Sequence, residues 1–141
     1  MYRDTMQERQ ADRSPRHLGN VLVVDDDRDT REMLATVLSV EGFHTVGAED
    51  GLEALHLLRT VRRRAPTMPC LVLLDLKMPR LGGREFRRAQ LGDPTVANVP
   101  IAVMSGAIDA DERAQALGAV ATLTKPIDVD RLIAVVRRHC A

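Results

Sequence analysis

Leu71-Val72-Leu73-Leu74-Asp75-Leu76-Lys77-Met78-Pro79 is the stretch whose reading decides the fold. Four apolar residues in a row, with no polar alternation, describe a short strand buried on both faces, as in a parallel sheet. Asp75 falls where that strand ends, and Met78-Pro79 followed by Gly82-Gly83 turns the chain. Ligands of open parallel α/β sheets gather at the carboxyl ends of strands. Asp75 therefore stands where chemistry usually happens, although alone it reads equally well as a helix N-cap or an ordinary loop aspartate.

Working outward, Val21–Val24 is a second buried run, and it ends in Asp25-Asp26-Asp27. A helix follows with Met33, Leu34, Val37 and Leu38 on one face and Gly42 as its stop. Phe43–Val46 reads as a weaker strand, and Asp50-Gly51 turns into a helix carrying Leu52, Leu55 and Leu58. Pro66 and Pro69 frame the loop before the Asp75 strand, and Arg84–Leu91 forms a short helix anchored by Phe86. Pro100–Met104 is a fourth strand ending in Ser105-Gly106, and Ala119–Leu123 a fifth ending in Thr124-Lys125-Pro126. Between them, Asp109–Leu117 reads as a helix whose apolar side is mostly alanine. So little area holds it down that it is the helix expected to shift. Val129, Leu132, Ile133 and Val136 mark the last helix. Five strands alternating with five helices predict a right-handed, doubly wound α/β sandwich, with no internal repeat and no second domain.

Composition narrows the classes. A chain of 141 residues suffices for one domain with a real core. Residues 1–18 are polar and aperiodic, predicting a flexible N-terminal extension before a domain over 19–141. Without an apolar signal core or a run approaching the roughly 18 residues of a membrane span, the expected location is the cytoplasm. Twenty basic residues balance twenty acidic ones, so nothing in the overall charge points to direct nucleic-acid binding. Arg62-Arg63-Arg64 reads as a solvated helix end whose cations suit the negative pole. Cys70 and Cys140 suggest neither a disulfide framework nor a zinc site, and His17, His44, His56 and His139 have no metal-like spacing. Only Lys77 and Lys125 are lysines among the twenty basic residues, and both fall in the loops assigned to one site.

Asp25 and Asp26, Asp75, Ser105 and Lys125 all arrive at one edge of the predicted sheet, which capping alone explains poorly. Carboxylates brought together repel unless a proton or cation intervenes. A hard divalent cation with oxygen ligands answers that need, and Mg²⁺ typically takes one or two carboxylates plus waters and phosphate oxygens. A hydroxyl and an ammonium would meet the other oxygens of a transferred phosphoryl group. An aspartate can itself be the nucleophile, and Asp75, alone on its strand, is the candidate.

The set Val23-Val24-Asp25-Asp26-Asp27, Leu73–Pro79, Val103-Met104-Ser105-Gly106 and Leu123-Thr124-Lys125-Pro126 resembles the receiver domain of two-component response regulators, over residues 20–140. The resemblance implies a flavodoxin-like (βα)5 three-layer sandwich with strand order 2-1-3-4-5, for which a member of this family is a standard example. It implies that Asp75 accepts phosphate from a histidine kinase or histidine phosphotransfer protein. It further implies that Asp26, Asp75 and the Lys77 carbonyl bind Mg²⁺ directly, with Asp25 acting mainly through metal-bound water. Ser105 would hydrogen-bond the phosphoryl group and Lys125 would pair with it. Gly83 matches the glycine after the acceptor strand, and Lys125-Pro126 a bond that is usually cis.

Departures from the pattern matter too. Three positions before the lysine, receivers commonly carry Tyr or Phe; here Thr122 removes the usual aromatic readout. Ala119-Val120-Ala121 is more apolar than usual, and no output domain is read after the last helix. The expectation is a single-domain response regulator that is not an enzyme beyond its own phosphorylation and dephosphorylation. It would signal to an unknown output protein through the 109–140 face, with no membrane contact and a homodimer left open. A degenerate receiver acting as a binding adaptor is disfavoured by the intact acids, acceptor, hydroxyl and lysine. An aspartate-nucleophile phosphatase is disfavoured because Lys77 stands where such enzymes carry a second acid.

Overall fold

A computed structural model describes residues 20–140 other than Pro79; the extension expected over 1–18 lies outside the described residues. Five strands, β1 (Val21–Val24), β2 (Thr45–Ala48), β3 (Leu71–Asp75), β4 (Ile101–Ser105) and β5 (Ala121–Thr124), alternate with five helices. The helices are α1 (Arg28–Val40), α2 (Gly51–Arg64), α3 (Gly83–Leu91), α4 (Ala110–Ala116) and α5 (Val129–Cys140). All strand pairs are parallel, in the order β2-β1-β3-β4-β5, which is the doubly wound arrangement expected.

The uninterrupted apolar runs of β1, β3 and β4 are buried throughout because both sheet faces are covered. Alternate residues serve opposite cores. Leu22, Val24, Val72, Leu74, Ile101 and Val103 meet Ala54, Leu55 and Leu58 of α2, Phe86 of α3 and Ala114 of α4. Val21, Val23, Leu71, Leu73, Ala102 and Met104 meet Leu34 and Leu38 of α1 and Leu132, Val135 and Val136 of α5.

Two strand boundaries differ from expectation for one shared reason. β2 starts at Thr45 rather than Phe43, and β5 at Ala121 rather than Ala119. Each preceding helix ends in a left-handed glycine, Gly42 at φ 88° and Gly118 at φ 69°. The next residue then folds back: the Phe43 N–H donates to the Leu38 carbonyl at 2.9 Å and the Ala119 N–H to the Ala114 carbonyl at 2.9 Å. This Schellman closure satisfies helix carbonyls with residues that alternation alone assigns to the strand.

The reading of the cysteines is corrected. Cys70, just before β3, and Cys140, the last residue of α5, form a disulfide across 70 residues of sequence. Nothing in their spacing signals it. Parallel topology returns the C-terminal end of α5 to the sheet edge where β3 begins, and the two Cα atoms come within 5.4 Å.

Candidate functional site

The site forms at the carboxyl edge of the sheet, where β1, β3, β4 and β5 release Asp25, Asp75, Ser105 and Lys125. β1 and β3 are adjacent and in register, with Val24 opposite Leu74, so the residues after them emerge side by side. Carboxylate oxygens of Asp25, Asp26 and Asp75 lie within 4.8 Å of one another. Asp26, Asp75, Lys77, Ser105, Gly106, Ala107 and Lys125 line an open cleft of about 440 Å³.

The three acids are not equivalent. Asp25 is wholly buried and Asp26 is exposed at the cleft mouth. One oxygen of Asp25, Oδ1, accepts the Asp27 N–H at 2.9 Å, and the other, Oδ2, accepts from Lys125 Nζ at 2.8 Å. Arg31 of α1 donates to the Asp25 carbonyl at 2.7 Å, fixing the backbone from below. Asp27, the third acid of the run, takes the capping role: its side chain accepts from the Asp29 N–H at the start of α1. Thr30 donates to Asp27 as well and holds its carboxyl below the usual aspartate range.

Asp75 is nearly buried, with Oδ1 accepting the Lys77 N–H at 3.2 Å and Oδ2 lying 3.4 Å from Lys125 Nζ. Burial and the neighbouring Asp25 carboxylate push its carboxyl above the usual range, outweighing the pull of the Lys77 N–H and of Lys125. Burial alone would weaken the hold of Lys125 on its proton. The hydrogen bond that Lys125 donates to Asp25 and the charges of both acids outweigh that, so its pKa stands above the ordinary lysine value. Lys125 therefore bridges the two buried acids, and its shorter contact is to Asp25. Ser105 is buried in the cleft wall, its Oγ accepting the Ala107 N–H at 3.1 Å, and its carbonyl accepts the Lys125 N–H at 3.0 Å. The Lys125-Pro126 bond is cis.

Three carboxyls facing one ammonium leave excess negative charge, and every convergent donor is a hard oxygen. This set suits a small divalent cation such as Mg²⁺ and offers nothing to a soft metal. The structure thus brings together all the residues singled out in the sequence: Asp25, Asp26, Asp75, Lys77, Ser105 and Lys125.

It also adds one that sequence reasoning missed. Arg80, five residues after Asp75, has left-handed backbone at φ 63° and forms ion pairs with Asp50 and Glu49. Asp50 is buried and also caps α2, its Oδ1 accepting the Glu53 N–H at 2.9 Å. That amide and then Arg80 hold its carboxyl below the usual range. Beside this pair the Gly51 N–H donates to the Leu81 carbonyl at 3.0 Å, and a Cβ on Gly51 would come within 2.5 Å of that oxygen. The loop after β3 is therefore clipped at two points to the start of α2. Asp50-Gly51 is visible in the sequence as a turn; its partner on the other loop is not.

Thr122 lies in the β5 ladder opposite Val103 and is half-buried. Gly83 opens α3 where a Cβ would press to 3.0 Å of the Leu76 side chain and 3.1 Å of its Cα, so the glycine allows a close approach to the chain just after β3.

Comparison with known proteins places this geometry. A family model described as the response regulator receiver domain matches residues 21–137. Among curated proteins, the chain is 33% identical over 120 residues to sporulation initiation phosphotransferase F of Bacillus subtilis (84% of this chain, 91% of that one). It is 41% identical over 119 residues to response regulator MprA of a Mycobacterium species (83% of this chain, 48% of that one), and so spans about half the length of the latter. Among solved structures, chemotaxis response regulator CheY4 of Vibrio cholerae superposes with a TM-score of 0.74 at 27% identity, covering 86% of this chain and 98% of that one.

Proposed function

The chain belongs to the response regulator receiver domain family, and on that premise we propose that it is a single-domain response regulator phosphorylated on Asp75. Receiver domains are phosphoacceptors that work with histidine kinases and phosphotransfer proteins and bind Mg²⁺ at an acidic pocket. The observation that carries the assignment to Asp75 is its placement. Its carboxyl is recessed at the end of the central strand, and its Oδ2 is directed at Lys125.

In this reading Asp75 Oδ2 attacks the phosphorus of a phosphohistidine donor. An O–P bond forms, the N–P bond breaks, and its electron pair returns to the donor imidazole, which takes a proton from solvent. Lys125 turns from Asp25 towards the arriving phosphoryl oxygens. Ser105 Oγ donates its hydrogen to another of them. Asp26, Asp75 and the Lys77 carbonyl would hold Mg²⁺, with Asp25 behind them. The cation supplies charge neutralisation on the acids and on the transferring group.

Residues 1–18 are proposed as an extension to a domain over 19–141 that works in the cytoplasm and signals through protein contacts. No helix among the described residues is long and apolar enough to cross a membrane. The output surface is proposed on α4, β5 and α5, where Ile108 ahead of α4, Val120 ahead of β5 and Val129 of α5 are exposed. The intact acids, hydroxyl and lysine speak against an adaptor that never takes phosphate. The test is transfer from a phosphorylated histidine kinase or phosphotransfer protein with and without Mg²⁺. Label should move to the chain only with the cation and not to Asp75→Asn; labelling of Asp75→Asn at the wild-type rate would refute the assignment.

A further inference from the structure

We propose that Cys70–Cys140 is a reversible thiol–disulfide site through which the chain takes a second, redox input on α5. The bond joins the entrance of β3, whose far end carries Asp75, to the last residue of the helix proposed above as part of the output face. The five residues from Cys70 to Asp75 separate the two sites by about 17 Å at the usual strand rise. The redox site can therefore act on α5 without touching the phosphoryl site. In its effect on signalling, though not in its chemistry, the inference rests on the proposed function.

Three observations favour a reversible bond over a permanent staple. First, the domain does not need it. Two apolar cores fill both faces of the sheet, and α5 is seated on one of them by the buried Leu132, Val135 and Val136. Staples are a necessity mainly in chains below about 70–80 residues. Secondly, both cysteines are half-buried rather than sealed, so a reductant can reach them. Thirdly, the reduced state has an acceptor prepared for it. The Asn20 carbonyl lies 2.9 Å from Cys70 Sγ and 3.9 Å from Cys140 Sγ, and it already accepts the Cys70 N–H at 2.8 Å. A thiol S–H formed by reduction has this carbonyl within reach as an acceptor. Disulfides of cytosolic proteins, where they occur, are usually transient or redox-sensing.

The co-reactant is a pair of thiols, carried by one dithiol or by two glutathione molecules. One thiolate attacks one cysteine sulfur, the S–S bond breaks, and the other cysteine leaves as a thiolate. The second thiolate then attacks the mixed disulfide and departs as a disulfide, cyclic for a dithiol and intermolecular for glutathione. Two electrons and two protons end on Cys70 and Cys140, and the reverse path with the disulfide so formed restores the bond. In the reduced chain the last turn of α5 keeps the Arg137–Glu41 ion pair and its buried side chains.

The test uses the full chain equilibrated against mixtures of reduced and oxidised glutathione, with thiols counted by mass after alkylation. Half-reduction should fall within the attainable ratios. Reduction should lower Tm by on the order of 10 °C, and hydrogen exchange should rise over 129–140 but not over 101–105. The Cys70→Ser/Cys140→Ser double variant should fold and match the reduced chain in every buffer. A bond that resists excess dithiol in the folded chain would overturn the proposal. So would thiols that never oxidise, exchange unchanged over 129–140, or a double variant that fails to fold. Phosphate acceptance by Asp75 is measured in both redox states. Its absence in both would refute the proposed function, while the redox titration would still decide by itself whether the disulfide is reversible.

Discussion

Asp75 carries a penalty in the cation-free chain, and that penalty is measurable. Its folded pKa is raised above 3.8 by burial and by Asp25, so the native state binds a proton more readily than the unfolded state. The ionised form therefore costs stability at neutral pH, and the cost fades as pH falls through the folded pKa towards 3.8. Asp75→Asn should raise Tm by a few degrees at neutral pH without Mg²⁺ and lose most of that advantage in acid, as thermal melts at several pH values would show. Lys125 is what makes the buried Asp25 tolerable: the Nζ–Oδ2 distance is 2.8 Å and Asp25 is wholly buried. Lys125→Ala, which strands that carboxylate, should cost about 2 kcal/mol by urea unfolding, discounted for a lysine that is partly solvent-exposed. Lys125→Arg should fold yet switch poorly, because a planar fork cannot reproduce a compact ammonium between two acids. Beryllofluoride-dependent chemical-shift changes of wild-type size in Lys125→Arg would contradict this.

The helices differ in how they are fastened. α4 buries only Ala110 and Ala114 along its length. Its C-terminal end is held by Arg87 of α3, whose guanidinium donates to the Leu117 carbonyl at 2.9 Å and to Gln90 Oε1 at 2.8 Å. Gln90 in turn donates to the Val96 and Val99 carbonyls. Burial alone pulls the Arg87 pKa down, so this cation is retained for its hydrogen bonds to a helix end of negative polarity. Arg87→Met should cost about 2 kcal/mol and raise hydrogen exchange across α4 more than across α2. The N-terminal end of α4 has no side-chain cap bond, and Ile108 before it is fully exposed. Held by a guanidinium at its C-terminal end and without a side-chain cap at the other, α4 is suited to pivot if, as proposed, Ser105 is drawn towards a phosphoryl group, with no aromatic ring required at Thr122. At the opposite edge, Thr95 and then Arg59 hold the Asp93 carboxyl down to about 2. Because the folded pKa is depressed, this tie contributes fully above 3.8 and is lost as pH falls towards 2. The stability gap between wild type and Asp93→Asn should accordingly be present at pH 6 and vanish near pH 2.

At the scale of the whole molecule, the strands and the polar edge were legible because each rests on a local signal. Unbroken apolar runs in Val21–Val24 and Leu71–Leu74 specify doubly covered strands, and one polar residue closes each run. What was illegible depends on contacts between distant segments. The Cys70–Cys140 bond needs α5 to return to the sheet edge, and the Arg80–Asp50 clip needs two loops 30 residues apart to meet. The starts of β2 and β5 were misplaced because Phe43 and Ala119 close the preceding helices before the ladder begins. The central claim is that the fold exists to present one nucleophilic carboxylate, Asp75, beside Asp26 and Lys125. Its most direct test is the intact mass of the chain after incubation with a small-molecule phosphodonor and Mg²⁺. The prediction is a gain of one phosphoryl group, mapped to Asp75 and absent from Asp75→Asn; a gain of the same size in Asp75→Asn, or none in wild type, would contradict it.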